Sequence, residues 1–342
     1  MTQYQKAQEQ LRQNPRRWLV TGAAGFIASN IVEQLLNLGQ SVTGLDNFAT
    51  GRKANLAEVE RTIGPAKWSA FKFIEGDIRD VAVCADACRG IDLVLHLAAL
   101  GSVPKSIEDP LLNNASNVDG FLNVMVGART HGVKRIVYSS SSAVYGDDAR
   151  LPKLESQIGR SLSPYATSKY MNELYADVCA TCYQQEAVGL RYFNVFGPRQ
   201  DPAGAYAAVI PQWIAAMIRR TPVSINGDGE TTRDFVYIAD VVQANLLAAT
   251  CTNQDAVNQV FNIGGGRRTS LNQLFAGIQE PLLRLRPDIE KTRPVYRDFR
   301  PGDIRHSEAD ITKARKLLGY EPAYTVERGM QESLAWYLQD IR

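Results

Sequence analysis

The sequence predicts an α/β fold in which a doubly wound parallel sheet is joined to a smaller α/β lobe. Short β-rich runs alternate with helical patterns through the first half of the chain, an order that produces parallel strands with helices on both faces. Some strands are continuous apolar runs, such as Leu93-Val94-Leu95, as expected where both faces of a sheet are buried. We therefore divide the 342-residue chain into an extension (1–17), the sheet domain (18–193) and the lobe (mainly 194–342, with segments that cross back).

The individual elements follow from periodicity and from helix-stop and turn residues. Phe26–Leu38 carries apolar residues at helical spacing, and Gly39 follows as a stop signal. After residue 193, glycine, proline and aspartate become frequent and the predicted strands are short. We expect strands at Trp18–Thr21, Ser41–Leu45, Phe71–Ile74, Leu93–Leu97, Arg135–Ser139, Val188–Tyr192 and Val260–Ile263. We expect later helices at Ala207–Arg219, Asp240–Thr250, Ser270–Leu285 and Val326–Leu338.

The composition argues against several classes of protein. The net charge of +2 is too small to indicate binding to nucleic acid or to a membrane surface, and no run of about 18 apolar residues predicts a membrane span. Met1–Arg17 is polar, lacks the apolar segment of a signal peptide, and is expected to be a solvated or helical extension. The five cysteines are an odd number, so we expect reduced thiols in a cytoplasmic protein. The three histidines have no metal-ligand spacing, and we expect no metal.

The loop after the first predicted strand indicates a dinucleotide site of Rossmann type. Gly22 permits a tight turn, Gly25 lets the backbone approach a pyrophosphate, and the helix that begins at Phe26 and Ile27 offers free N–H groups to that anion. Ala28 is small enough for close packing of the helix on the strand. A tight turn without a ligand is the alternative, but the position between strand and helix favours the dinucleotide site.

The second strand ends on a carboxylate that bears on the choice of cofactor. Asp46 lies 24 residues after Gly22, where it can accept hydrogen bonds from ribose hydroxyls and repel a 2′-phosphate. This favours NAD over NADP, although Arg52 is close enough in sequence to accommodate a phosphate. The other residues expected at the cofactor site are Asn47, Gly51, Asp77, Ile78, Ala98, Ala99 and Tyr192.

Tyr165 and Lys169 are the candidate chemical groups. They form a Y-x-x-x-K at the start of a predicted helix, and the four-residue spacing places them on one face. A free tyrosine has a pKa of about 10, and a nearby ammonium favours its phenolate form, which can act as a base. Four serines, Ser139 to Ser142, end the fifth predicted strand and place a hydroxyl at the same pocket. The Y-x-x-x-K pattern is common by chance, and it becomes specific only beside a nucleotide-binding half and these serines.

A series of motifs from Trp18 onward resembles the extended short-chain dehydrogenase/reductases that act on nucleotide sugars. The motifs are TGAAGFIA, LDNF, GDIRD, HLAA, SSSSAVYG, SPYATSK, LRYFNVFGPRQ, RDFVYIAD, FNIGGG and RPGDIRHS. The resemblance implies that Tyr165 is the acid/base and that Lys169 binds the nicotinamide ribose and tunes the tyrosine. It also implies that Ser141, with Ser142 as its neighbour, assists at the sugar 4-hydroxyl.

The same resemblance implies a site for a UDP-sugar. Arginines can pair with pyrophosphate oxygens and aspartate can accept from ribose hydroxyls, although a surface ion pair is the alternative for either arginine alone. The residues implied to contact the nucleotide are Asn194, Ala208, Val209, Arg233, Arg300 and Asp303. Those implied to lie near the sugar are Gly101, Ser102, Ser141, Ser142, Gln200 and Ser307.

The residues near the serines favour 4-epimerisation among the reactions of these enzymes. Related dehydratases and decarboxylases carry acidic residues before the V-Y-G, where this chain has Ser142 and Ala143. Ser307 is small where glucose-only epimerases carry an aromatic residue, and the chain resembles bacterial UDP-GlcNAc/UDP-GalNAc 4-epimerases. A UDP-glucose/UDP-galactose 4-epimerase, a UDP-sugar decarboxylase or 4,6-dehydratase, and a non-enzymatic NAD-binding sensor remain alternatives. The resemblance further implies a homodimer formed by helices near Asn117–Thr130 and Tyr165–Cys182, although packing within one subunit would explain their apolar faces equally well.

Overall fold

The structure, a computed structural model, describes residues 1–202, 208–299 and 304–341. Within these ranges a seven-stranded parallel sheet lies at the centre, which confirms the predicted α/β class. The strands are β1 (Arg17–Thr21), β2 (Ser41–Asp46), β3 (Phe71–Glu75), β4 (Leu93–His96), β5 (Arg135–Ser141), β6 (Glu186–Tyr192), β7 (Asn194–Phe196), β8 (Ser224–Asn226), β9 (Thr232–Arg233), β10 (Phe235–Tyr237), β11 (Val260–Ile263), β12 (Thr269–Ser270) and β13 (Val295–Arg297).

The helices of the described residues flank this sheet and build the lobe. They are α1 (Gln3–Gln13), α2 (Phe26–Asn37), α3 (Lys53–Ile63), α4 (Pro65–Trp68), α5 (Val81–Ala87), α6 (Val103–Glu108), α7 (Pro110–Asn114), α8 (Gly120–Thr130), α9 (Pro164–Tyr183), α10 (Val209–Ile218), α11 (Ile238–Thr250), α12 (Leu271–Leu285), α13 (Thr312–Leu318) and α14 (Val326–Asp340). A π-helical turn (Ala115–Asp119) precedes α8, and a 3₁₀ turn (Ser142–Tyr145) follows β5.

The order of the strands places a crevice above β1. The sheet runs β11-β6-β5-β4-β1-β2-β3, so the chain winds away from β1 first in one direction and then in the other. The loops that leave β1 and β4 therefore diverge, and a ligand crevice opens at the carboxyl ends of the strands. The strands predicted from apolar runs are all present, with borders that agree to within two residues.

Residues after 193 contribute to both parts of the molecule. Helices α10, α12 and α14 pack against one another in the lobe, together with three two-stranded sheets formed by β7 with β10, β8 with β13 and β9 with β12. Strand β11 instead pairs in parallel with β6 and forms an edge of the central sheet, and α11 packs against β5 and β6.

The N-terminal extension is an α-helix that packs on the domain. Helix α1 buries Ala7 and Leu11 in the main core, and α1 contacts α11. The buried Gln40 amide donates to the main-chain oxygens of Leu11, at 2.9 Å, and Leu38, at 2.8 Å. Buried amides are normally hydrogen-bonded, and these two bonds link the C-terminal part of α1 to the C-terminal end of α2.

Candidate active site

Two neighbouring cavities open at the carboxyl ends of the central strands. The first has a volume of about 600 Å³ and is lined by residues that follow β1, β2, β3, β4, β5 and β6. The second has a volume of about 410 Å³ and is lined mainly by residues after 193. Gly101 and Val195 line both cavities, so the two spaces adjoin. Volumes of this size are typical of ligand sites.

The loop after β1 forms one end of the first cavity. Gly22 has φ +70°, and a Cβ placed on it would lie 2.8 Å from the Ala98 main-chain nitrogen. Only glycine combines this backbone with such an approach. Gly25 donates its N–H to the Gly22 oxygen at 2.8 Å and caps α2, and Phe26 and Ile27 of the first turn line the cavity. The free N–H groups of this turn therefore face a space that can hold an anion.

The Asp46 carboxylate lies at the same end of the cavity. One oxygen accepts from the Ala24 N–H at 2.9 Å and the other from the Phe48 N–H at 2.7 Å. Burial raises the pKa of Asp46, and these N–H donors act against that rise. Gly51 does not line the cavity, but a Cβ on it would lie 2.8 Å from Asp46 Oδ2, so glycine lets the following loop close over the carboxylate.

Arg52, the arginine nearest to Asp46 in the sequence, lies close to two other carboxylates. Its guanidinium lies 3.7 Å from Asp201 and 3.7 Å from Asp340. A guanidinium already shared between two acids is less available to a 2′-phosphate. The arrangement around Asp46 and Arg52 therefore suits the unphosphorylated ribose of NAD.

Residues that follow β3 and β4 line the same cavity. The Asn47 amide donates to Asp77 at 2.8 Å, and Arg79 forms an ion pair with Asp77 at 2.7 Å. The hydrogen bonds from Arg79 lower the pKa of Asp77 to about 2. Ile78, Ala98, Ala99 and Tyr192 also line this cavity.

Helix α9 brings Tyr165 and Lys169 to the floor of the first cavity. The Ser163 hydroxyl accepts from the Ala166 N–H at 3.1 Å, and Pro164 occupies the first turn, so the helix begins just before Tyr165. Lys169 is 2% exposed, and its ammonium donates to the Ser139 oxygen at 2.8 Å and to the Ser139 hydroxyl at 3.1 Å. Desolvation lowers the pKa of Lys169 to about 8.

The Tyr165 phenol and the Ser141 hydroxyl both line the first cavity. Desolvation raises the pKa of Tyr165, and hydrogen bonding by Ser141 acts to lower it. The Ser141 hydroxyl also accepts from the Ala143 N–H at 3.1 Å, which fixes its rotamer at the start of the 3₁₀ turn. Ser142 follows in that turn and is not among the residues that line the two cavities. The structure thus brings Tyr165, Lys169 and Ser141 together and leaves Ser142 beside them.

Asn117 is a buried residue beside this site that the sequence analysis named only as the start of a predicted helix. It lies in the π-helical turn, where its amide oxygen accepts from the Leu100 N–H at 2.7 Å. Its amide nitrogen lies 3.1 Å from the Leu100 oxygen and 3.1 Å from the Ser168 hydroxyl. Asn117 therefore ties the loop after β4 to α9. A π-helical turn often marks a functional site, but no sequence pattern quoted above predicts one here.

The second cavity gathers most of the residues implied to contact a UDP-sugar. These are Gly101, Ser102, Asn194, Gln200, Ala208, Val209 and Arg233. Ser307 is half-buried and donates its N–H to the Thr232 oxygen at 3.2 Å, next to Arg233, but it does not line the described cavity. Arg300 and Asp303 lie outside the described residues. Four polar residues that the sequence analysis did not single out also line this cavity: Gln212, Ser224, Asn226 and Thr231.

Two further classes of site were searched for in the part of the chain that the structure describes. There, no three histidine, cysteine, aspartate or glutamate side chains form a group that could hold a metal ion. In the same residues, every helix is too short or too polar to cross a bilayer.

Comparison with known proteins is consistent with this site. Residues 18–264 match the NAD dependent epimerase/dehydratase family. The chain is 34% identical to the UDP-glucose 4-epimerase of Mycolicibacterium smegmatis, over 94% of this chain and 98% of that protein. Among solved structures it is similar to the UDP-N-acetylglucosamine 4-epimerase of Methanobrevibacter ruminantium M1 in complex with UDP-N-acetylmuramic acid, with a TM-score of 0.87 and 36% identity over 95% and 99% of the two chains. It is also similar to the UDP-glucose 4-epimerase of Thermotoga maritima with UDP-glucose, with a TM-score of 0.85 and 36% identity over 95% and 100% of the two chains.

Proposed function

The chain belongs to the NAD dependent epimerase/dehydratase family and is an NAD-dependent UDP-sugar 4-epimerase, and within this class we propose that it interconverts UDP-GlcNAc and UDP-GalNAc. The observation that carries the assignment of the chemistry is that Tyr165, Lys169 and Ser141 all line the first cavity, which adjoins the second.

The first cavity fits a dinucleotide. Gly22 and Gly25 form a backbone cradle that a Cβ at Gly22 would obstruct, and the first turn of α2 supplies N–H groups. Asp46 would accept from the adenosine ribose hydroxyls, and Lys169 from α9 would donate to the nicotinamide ribose. When bound, NAD accepts a hydride from sugar C4 and returns it to the same carbon.

The residues of the chain supply the proton transfer that accompanies this step. As the hydride leaves C4, the Tyr165 phenolate removes the proton of the 4-hydroxyl, and it returns the proton when the hydride comes back to the opposite face. The Ser141 hydroxyl donates to the phenolate or to the sugar oxygen as charge moves between them. The Lys169 ammonium favours the phenolate form by its charge.

The second cavity would hold the nucleotide while the sugar turns. Arg233 lines this cavity and could pair with the pyrophosphate. Its Nη1 donates to the main-chain oxygens of Thr232, at 3.0 Å, and Arg305, at 3.4 Å, which fixes the direction of the guanidinium. A fixed nucleotide with a freely rotating 4-keto sugar is what inversion at C4 requires.

The charges around the floor of the cavity favour epimerisation over dehydration or decarboxylation. Dehydration across C5 and C6 needs its own acid and base. Among the described residues that line the two cavities, Asp46 and Asp77 are the carboxylates, and both lie at the adenosine end. Ser142 and Ala143 stand where an acidic pair would be expected, and a 4-epimerase needs none there.

The acetamido preference rests on Ser307. We propose that its small side chain leaves room for a 2-acetamido group. Ser307 follows His306, which pairs with Thr232, so it lies close to Arg233 in this chain pairing. The similarity to epimerases named for UDP-GlcNAc and for UDP-glucose is equal at 36%, so the sequence identity alone does not choose between them. UDP-glucose and UDP-galactose are therefore the second candidate substrates.

We also propose a cytoplasmic homodimer. Helices α8 and α9 carry exposed large apolar side chains: Val126 on α8, and Leu174, Tyr175 and Val178 on α9. Exposed apolar patches of this kind mark protein interfaces. The five cysteines are free thiols, which agrees with a reducing compartment.

One experiment separates these functions. Purified protein, without added NAD, is incubated separately with UDP-GlcNAc, UDP-GalNAc, UDP-glucose, UDP-galactose and UDP-glucuronate, and the products are separated and identified. We expect each acetamido sugar to give its C4 epimer. Carbon dioxide from UDP-glucuronate, or a stable 4-keto-6-deoxy sugar, would identify a decarboxylase or dehydratase instead. Tyr165→Phe should keep bound NAD and lose turnover by about 10²- to 10⁴-fold; turnover at the wild-type rate would remove Tyr165 from its role.

A further inference from the structure

Three consecutive serines at the end of β5 lie beside three residues of α9. Ser139 accepts from Lys169 at 2.8 and 3.1 Å, Ser140 donates to Glu173 at 2.5 Å, and Ser141 lines the first cavity together with Tyr165. The α9 residues are spaced by four, so they lie on one face of the helix. We call these three pairs the serine ladder. Two of its pairs belong to the chemistry already described, and the Ser140–Glu173 pair does not.

Glu173 is buried, and both of its carboxylate oxygens accept hydrogen bonds. One carboxylate oxygen lies 2.5 Å from the Ser140 hydroxyl and 2.9 Å from Arg191 Nε, and the other lies 2.7 Å from Arg191 Nη2. Arg191 is itself buried, and its Nη1 donates a hydrogen bond to the Glu155 main-chain oxygen at 3.0 Å. Charged groups out of contact with water persist only where such partners satisfy them, and a bidentate arginine pair has a narrow geometry.

The two partners of Glu173, Ser140 and Arg191, lie next to residues of the first cavity. Ser140 and Arg191 are opposite each other in the parallel pairing of β5 with β6, so one carboxylate holds both strands to α9. The next pair along the strands is Ser141 and Tyr192, and both of these residues line the first cavity. Glu173 itself does not line either cavity.

We propose that Glu173 is a positioning residue that sets the distance between the Ser141 hydroxyl and the Tyr165 phenol. It does so by anchoring Ser140 and Arg191, the neighbours of Ser141 and Tyr192, to the helix that carries Tyr165 and Lys169. The inference rests on the proposed roles of Tyr165 and Ser141. Without the anchor, the strand end moves relative to α9, and a displacement of about 1 Å at a reacting group costs up to about 10²-fold in rate.

The same two strands carry a matched control at their other end. Arg135 and Glu186 are opposite each other where β5 and β6 begin, and they form an ion pair at 2.7 Å. Arg135 is buried like Arg191, and this pair is far along the strands from the serine ladder. Glu186→Gln therefore weakens an arginine–glutamate pair on the same strands, with a more exposed carboxylate, without touching the anchor of Ser140.

The test compares three variants of the holoenzyme: Glu173→Gln, Ser140→Ala and Glu186→Gln. We expect Glu173→Gln to lower kcat by about 10- to 10²-fold, with the KM for the UDP-sugar and the content of bound NAD unchanged. Ser140→Ala should lower kcat less, and Glu186→Gln should keep the wild-type kcat. Wild-type kcat in both Glu173→Gln and Ser140→Ala would overturn the proposal, as would equal losses in Glu173→Gln and Glu186→Gln. Should Glu173→Gln fail to fold, wild-type kcat in Ser140→Ala alone overturns it.

A second readout does not depend on turnover. A crystal structure of the Glu173→Gln or Ser140→Ala holoenzyme should show a longer separation of the Ser141 and Tyr165 oxygens than in the wild type. An unchanged separation would contradict the positioning role. The wild-type assay on UDP-sugars tests the proposed function separately, so its failure would not be mistaken for a failure of this inference.

Discussion

The Lys169 ammonium nitrogen lies 2.8 Å from the main-chain oxygen of Ser139, one helical turn from Tyr165. This hydrogen bond holds the lysine against the end of β5, where it is buried. No carboxylate forms a salt bridge with Lys169 among the described residues, so its charge is not neutralised locally. Burial without a counter-ion lowers its pKa to about 8, which brings the loss of its charge close to physiological pH.

The pH dependence of turnover should follow this titration. Below about pH 8 Lys169 is charged and favours the Tyr165 phenolate, and above that pH the neutral amine no longer does, so kcat/KM should fall on the alkaline side. Arginine stays charged at these pH values, so Lys169→Arg should have lower activity and an alkaline limb displaced to higher pH. The measurement is kcat/KM from pH 6 to about pH 10 for both proteins. Coincident alkaline limbs would show that Lys169 is not the titrating group.

Gly22 should be required for cofactor binding because of its close contact and not only because of its backbone conformation. Gly22 and Gly39 have φ of +70° and +73°, but a Cβ on Gly22 would lie 2.8 Å from the Ala98 nitrogen, whereas a Cβ on Gly39 meets no atom within 4 Å. Gly39→Ala should therefore cost about 1–2 kcal/mol of unfolding free energy and keep its NAD. Gly22→Ala should cost more and lose NAD. Chemical denaturation and the NAD content of the purified variants check this, and equal NAD content in the two would contradict it.

Ser307→Tyr tests the proposed gate for the 2-acetamido group. A tyrosine side chain should fill the space beside Arg233 and reduce turnover of UDP-GlcNAc at least about tenfold more than turnover of UDP-galactose, a difference of about 1.4 kcal/mol in transition-state binding. The measurement is kcat/KM on both sugars with the same preparation, so that the second sugar serves as the control. Equal losses on the two sugars would rule out the gate.

The exposed face of α8 and α9 should be the dimer interface. Val178 on this face is 52% exposed, and Leu285 on α12 in the lobe is also 52% exposed. Val178→Arg places a charge in the proposed interface and should give a monomer, whereas Leu285→Arg should leave the dimer intact. Light scattering after size-exclusion chromatography measures the mass of each. A wild-type monomer, or a dimer that persists in Val178→Arg, would contradict the assignment of this face.

The central sheet could be predicted because its signal is local. Strand β4 is an apolar run buried along its whole length, and α2 shows helical spacing between a glycine loop and Gly39. Strands β7 and β10 were not predicted because each has only three residues, and they pair across a long separation, with Phe235 opposite Asn194. Short strands of this kind are defined by their partner and not by their own sequence.

The candidate site was predicted to the extent that it lies in motifs. The glycine loop, Asp46, Tyr165 and Lys169 each follow from residue type and spacing, and the structure places them around one cavity. Asn117 and Glu173 could not be found in this way, because their partners, Leu100 and Arg191, are brought to them by the packing of the helices on the sheet. Side chains that act through other side chains leave no pattern in a single sequence.

The most direct test of the account is the fate of the hydrogen at sugar C4. UDP-GlcNAc that carries deuterium at C4 is incubated in ordinary water with the purified protein, and the UDP-GalNAc formed is examined by NMR and mass spectrometry. If the hydrogen leaves as a hydride and returns to the same carbon while Tyr165 carries only the hydroxyl proton, the product keeps its deuterium. Loss of the deuterium to solvent in the product would contradict the account.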